Sequence, residues 1–118
     1  FRLGHQAFEQ GFYPDMIGTD IYAWNFLHPV WGLYRVMNKI IHLGMSVEDC
    51  VKCVSSTPAD FFGLPGQGHL REGGLGDLTI FHMEENPVEL TDPKGVTETC
   101  TRRLVVDYVT VGGKAHRL

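Results

Sequence analysis

Residues 63–77 run GLPGQGHLREGGLGD, six glycines in fifteen residues. A stretch so rich in glycine cannot hold a long helix, because each glycine surrenders more backbone freedom than any other residue on ordering. It separates two kinds of sequence. Upstream, apolar residues recur at helical spacing; downstream come short runs rich in β-branched residues. The fold class therefore turns on this boundary near Gly63.

Immediately upstream, Val30, Leu33, Tyr34, Met37, Ile40 and Ile41 fall at i, i+3, i+4 and i+7 intervals, which predicts a helix over 30–43. Gly44 is placed to accept the left-handed cap, with Met45 folding back on the last turn. Ser46 can cap a second helix, favoured by Glu48 and Asp49 at its positive end. Val47, Cys50, Val51 and Val54 would form its buried stripe. Thr57-Pro58 is expected to break it, and PADFFG to add one helical turn ending at Gly63. Phe1, Leu3, Ala7 and Phe8 share a face of an initial helix stopped by Gly11. That helix starts without a cap, which points to a piece of a longer chain.

Between these helices lies PDMIGTD, residues 14–20. Met16 and Ile17 are apolar without alternation, as in a central parallel strand, so a short buried strand ending at Asp20 is expected. The aromatic IYAWNFLHP that follows lacks a period and is read as a loop closing on Pro29. Downstream of the glycines, strands are predicted over 78–83, 88–91, 96–102 and 104–111. Asp92-Pro93-Lys94-Gly95 forms a turn. Gly112-Gly113 joins the last long strand to KAHRL as a hairpin.

Bulk properties narrow the function. The chain has 118 residues, 43% of them hydrophobic and 20% charged, enough for one ordinary domain. A net charge of −4 without a basic block argues against nucleic acid or an anionic membrane surface as partner. No apolar run reaches the ~18 residues of a membrane span. Three cysteines, an odd and sparse count, point to a reducing cytoplasm.

Several chemistry-bearing residues have ordinary readings. His5, His42, His69, His82 and His116 show no ligand-pair spacing and are expected on surfaces or loops. His28, with Trp24 and Asn25 in the loop after the expected strand, is placed to line a pocket. Cys50-x-x-Cys53 lies inside a helix, where thiolate stabilisation is weak, and a zinc site would need a second half. The glycine stretch lacks the ending of a phosphate loop.

The words GFYPDMIGTDIY, PVWGLYRVMNKIIHLGMSVEDCV, STPADFFGL, GHLREGGLGDLTIF and the closing VGGK, in this order, resemble the C-terminal third of an amidohydrolase-superfamily enzyme. The likeness is to its dihydroorotase-like amidohydrolase/deacetylase branch. The resemblance implies an α/β fold: the last strand and helices of a (β/α)8 barrel over residues 1–63, then part of a small antiparallel β-sandwich over 64–118. It places Asp20 at the C-terminal end of the eighth strand, as metal ligand and general base. Trp24, Asn25 and His28 would face the substrate. It implies one or two divalent ions in the complete enzyme, zinc as the usual one, with none expected to bind these 118 residues alone, and a small molecule as substrate. The remainder of the chain and a second copy of it are the expected partners. Gly18 stands where relatives commonly carry serine. The family's other metal ligands, an HxH pair, a carboxylated lysine and two further histidines, lie on strands these residues do not contain. The competing expectation is a non-catalytic module completed by a partner chain, exposing the apolar faces of residues 16–17 and 30–41.

Overall fold

The computed structural model describes residues 1–23 and 32–117. Among the described residues, four helices precede five strands: α1 (Arg2–Glu9), α2 (Leu33–His42), α3 (Val47–Val54), α4 (Ser56–Phe62), β1 (Leu78–Glu84), β2 (Val88–Thr91), β3 (Thr97–Cys100), β4 (Arg103–Val111) and β5 (Lys114–Arg117). The glycine stretch contains neither helix nor strand, as its composition requires.

Local chemistry sets the helix ends. At Gly44 (φ 117°) the chain turns left-handed. The Gly44 N–H then reaches the Ile41 carbonyl at 3.0 Å and the Met45 N–H that of Ile40 at 3.3 Å. These bonds satisfy carbonyls that the end of α2 would otherwise leave without partners. The same turn drops Met45 into the core. Ser46 Oγ accepts the Asp49 N–H at 3.1 Å, the expected cap of α3. The break after α3 falls at Ser55 (φ −132°, ψ −85°) rather than at Thr57-Pro58. Pro58 instead sits in the first turn of α4, where its missing N–H costs nothing.

The strands form two antiparallel sheets, β1-β4-β5 and the hairpin β2-β3. Between β1 and β4 the register slips at Ile80/Phe81, which pair with Tyr108 and Val106 and leave Asp107 bulged. Phe81, Met83, Leu104 and Val106 turn inward from this sheet. They meet Met37, Met45, Cys50 and Cys53 of the helical half. One core therefore runs across the glycine boundary. The apolar face of α2 is packed in it through Met37, Leu33, Ile40 and Ile41, so that face is not laid open.

A polar joint fixes this packing. Strand β5 covers only Tyr108–Val111 of β4, leaving the Arg103–Asp107 half of that edge without a ladder partner among the described residues. Asn38, 4% exposed, fills the place at Leu104. Its Nδ2 donates to the Leu104 carbonyl at 3.1 Å, and its Oδ1 accepts the Leu104 N–H at 2.7 Å. The amide thus does the work of one residue of a neighbouring strand.

Residues 14–20 are the main correction. They form no strand: the chain bends at Asp15–Met16 and pairs with no ladder among the described residues. The segment lies instead along the end of α3. The Ile17 N–H donates to the Cys53 carbonyl at 3.0 Å, and the Cys53 thiol to the Pro14 carbonyl at 3.2 Å. The expected parallel strand is therefore absent and every described ladder is antiparallel. The physical reason is that a strand exists only through its neighbours' hydrogen bonds, and here helix backbone supplies the partner.

Candidate functional site

Asp20 closes the 14–20 segment in the left-handed region (φ 49°), the one non-glycine residue described there. Aspartate tolerates that conformation better than most side chains. The residue is exposed, as are Ile21 and Tyr22 beside it. Among the described residues Asp20 belongs to no group of three side chains spaced to share a cation. It offers a carboxylate of the right chemistry for a divalent ion, but as a single donor it does not make a site. Trp24, Asn25 and His28 lie outside the described residues.

A different set of donors does converge. His5 on α1, His42 at the end of α2 and Glu98 on β3 bring their ligand atoms within 4.8 Å of one another. Glu98 Oε2 accepts from His5 Nε2 at 2.9 Å and from His42 Nε2 at 2.8 Å. The two imidazoles stand edge to face, with ring centres 6.2 Å apart. The side chains of His42 and Glu98 are 20% and 28% exposed, that of His5 42%. Hydrogen bonds from His5 first, and from His42, hold the Glu98 carboxyl below its ordinary range. Beside the cluster, a hollow of about 420 Å³ lies between the α2–α3 connection and the end of β3. Its walls include Ile41, His42, Met45, Glu48, Cys100 and Arg102.

The expectation of unremarkable histidines fails at these two positions. It fails because the partners lie 93 and 56 residues apart in sequence. One signal was present. On β3, Glu98 alternates with exposed threonines and shares its face with buried Cys100. It is a charge on the partly covered face of the hairpin, where a nearby donor offsets the water it gives up. His69 and His82 also meet carboxylates, Asp60 at 2.7 Å and Asp107 at 2.9 Å, but at exposed positions.

The cysteines are packing residues, as expected. All three are free and buried. Burial first, and then the neighbouring Cys53, push the Cys50 thiol up to about 11. A thiol so raised stays protonated at neutral pH and is a poor nucleophile or ligand.

A family model described as "Amidohydrolase family" matches residues 14–115. A deacetylase of Brucella anthropi is 30% identical over 115 residues, covering 98% of this chain and 29% of its own length. Two solved structures superpose closely. A crystal structure of an adenine deaminase gives a TM-score of 0.91 at 29% identity, over 98% of this chain and 32% of that one. A crystal structure of a dihydroorotase gives 0.88 at 28% identity, over 98% and 31%. The chain thus spans under a third of the length of each of these proteins.

Proposed function

The chain belongs to the amidohydrolase family, and from that premise we propose that the full-length protein hydrolyses amide, cyclic amide or related C–N bonds, or esters, in small molecules. The observation that carries this reading is the family match over residues 14–115, which includes Asp20 and extends to the last strand. The names deacetylase, adenine deaminase and dihydroorotase have hydrolytic C–N cleavage in common. In this reading residues 1–63 are the end of a (β/α)8 barrel and residues 64–118 the returning part of a β-sandwich. Residues 14–20 become the eighth strand once neighbouring strands supply its ladder. Exposed apolar side chains fit that arrangement: Phe12 (72%), Phe61 (71%), Phe62 (64%) and Tyr22 (53%) are surfaces the rest of the chain would cover.

Asp20 is the residue assigned to the chemistry. With residues 14–20 as the eighth strand, Asp20 would stand at its C-terminal end, where barrel enzymes place reacting groups. A divalent cation, zinc in this reading and one or two ions, supplies charge that acidifies water toward neutrality. Asp20 would be one donor to that cation, completed by ligands from the rest of the protein, and its carboxylate would take the proton of the attacking water and pass it to the leaving nitrogen. Trp24, Asn25 and His28 follow on the substrate side. A small-molecule substrate, a second copy of the chain and a cytoplasmic setting complete the assignment.

The test is Asp20→Asn in the full-length enzyme, assayed on a panel of N-acetyl amino acids and cyclic ureides. Turnover on whichever substrate the wild type accepts should fall by roughly 10²–10⁴. The circular dichroism spectrum should stay that of the folded wild type, so that the loss is one of chemistry and not of folding. Wild-type turnover in that variant removes Asp20 from the mechanism.

A further inference from the structure

From the convergence of His5, His42 and Glu98 we infer that the helix–hairpin junction is a binding site for a divalent transition-metal ion of the zinc or cobalt type. The site makes no use of Asp20 and does not rest on the reading given to that residue.

The donor set comes first. Two neutral imidazoles and one carboxylate form a ligand group suited to zinc and its neighbours in the transition series. Each donor is carried by a separate element, α1, α2 and β3, so the three approach one point from different directions. Ligands that come from one exposed strand or loop, by contrast, can drift apart together.

The spacing comes next. Tetrahedral coordination with bonds of ~2.1 Å sets neighbouring donor atoms about 3.4 Å apart. Here the nitrogen–oxygen separations are 2.9 and 2.8 Å, and all three donor atoms lie within 4.8 Å. Adjustments of about an ångström in side-chain position open the cluster around an ion of that bond length. Both imidazoles now donate an N–H to the same oxygen, Oε2. Coordination through those nitrogens places each imidazole's proton on Nδ1 instead, so that Nε2 offers its lone pair to the cation and the carboxylate is compensated by the metal charge.

The surroundings fit as well. The cluster is half-buried, enough to hold its side chains in place while remaining reachable from solvent. Of the three donors, His42 also lines the neighbouring 420 Å³ hollow. The consequence of binding is mechanical. An ion here ties α1 and α2 to the β2–β3 hairpin by bonds stronger than the two hydrogen bonds it replaces.

The experiment titrates the metal-free full chain with Co²⁺ and reads the visible d–d absorption. It is repeated on Glu98→Gln and on His42→Ala. One equivalent with a nitrogen- and oxygen-ligated spectrum is expected in the wild type in excess of that bound by either variant. Affinity at this site should fall more than the 10–100-fold that loss of an outer hydrogen-bond partner costs. A second measurement uses the wild type alone, so that the outcome does not depend on the folding of either variant. Anomalous scattering at the zinc edge from Zn²⁺-soaked crystals should place a peak at bonding distance from His5, His42 and Glu98 together. Equal Co²⁺ stoichiometry in wild type and folded variants, or no peak at the three donors, overturns the inference. The cluster is then a hydrogen-bonded clasp only. Failure of either test leaves the Asp20→Asn result untouched, so the two readings are judged separately.

Discussion

Replacing Asn38 should loosen the joint between the helices and the sheet by an amount the geometry allows to be estimated. The side chain is 4% exposed and engages both backbone groups of Leu104, itself 2% exposed. Asn38→Leu fills nearly the same space but offers neither donor nor acceptor. It leaves the Leu104 N–H and C=O buried with no partner, at about 1–3 kcal/mol each. The expected loss is therefore about 2–6 kcal/mol. Asn38→Ala removes the same bonds but opens room for a water, so its loss should be smaller, about 2–4 kcal/mol. Urea unfolding of the full chain, followed by far-ultraviolet circular dichroism, reads the difference. The shift of the midpoint is the stability loss divided by the slope, which grows with the surface exposed on unfolding.

Asn38→Asp separates hydrogen bonding from shape. The carboxylate keeps an acceptor for the Leu104 N–H but sets a second oxygen against the Leu104 carbonyl. Burial and that oxygen raise the pKa of the new acid in the folded state. A group raised on folding contributes its stability below its unfolded pKa and loses it as pH rises through the folded value. The variant should thus approach wild-type stability at acid pH, where the protonated acid donates as the amide did, and fall away toward neutrality. If Asn38→Leu is within 1 kcal/mol of wild type, or if Asn38→Asp shows no pH dependence relative to wild type, the strand-mimic argument is wrong.

Two further outcomes follow from the packing. A Cβ at Gly68 (φ +73°) would lie 2.4 Å from Ala59 Cβ and 2.6 Å from the Ser55 carbonyl, whereas one at Gly73 (φ +78°) meets nothing within 4 Å. Gly68→Ala should therefore cost clearly more than the ~1–2 kcal/mol backbone penalty expected for Gly73→Ala, and limited proteolysis should cut residues 64–77 faster only in the former. Cys50, raised from 9.0 to about 11 by burial, contributes stability that is intact below pH 9 and is lost between pH 9 and 11. Cys50→Ala should remove that alkaline component of the melting-temperature profile, and native Cys50 should resist alkylation at neutral pH.

What was legible in the sequence depended on whether its cause was local. The capping of α2 and α3 is decided within a few residues by Gly44 and Ser46, and both behave as their chemistry dictates. The strand runs were legible because alternation and turn residues are also short-range, and even the Gly112-Gly113 hairpin stands where expected. Residues 14–20 show the limit. Their apolar, non-alternating composition suits a central strand, but composition cannot supply the ladder. Where the neighbour is the Cys53 carbonyl of α3, the same residues settle as a bent segment.

The His5–His42–Glu98 cluster shows the same limit from the other side. None of its members has a ligand-like spacing along the chain, because the spacing is created by the fold. Helix α1 must end at Gly11, α2 at Gly44, and β3 must present Glu98 on the face it shares with Cys100. Each of those conditions was individually readable. Their product was not, since it depends on how α1 and α2 sit against the hairpin. The surviving clue is one of energetics rather than pattern. A glutamate on the covered face of a strand, between exposed threonines, must find a compensating donor when the sheet closes. The candidates near a packed surface are the groups on whatever helices cover it. A search that starts from the misplaced charge and asks what covers it reaches His5 and His42; a search that starts from histidine spacing does not.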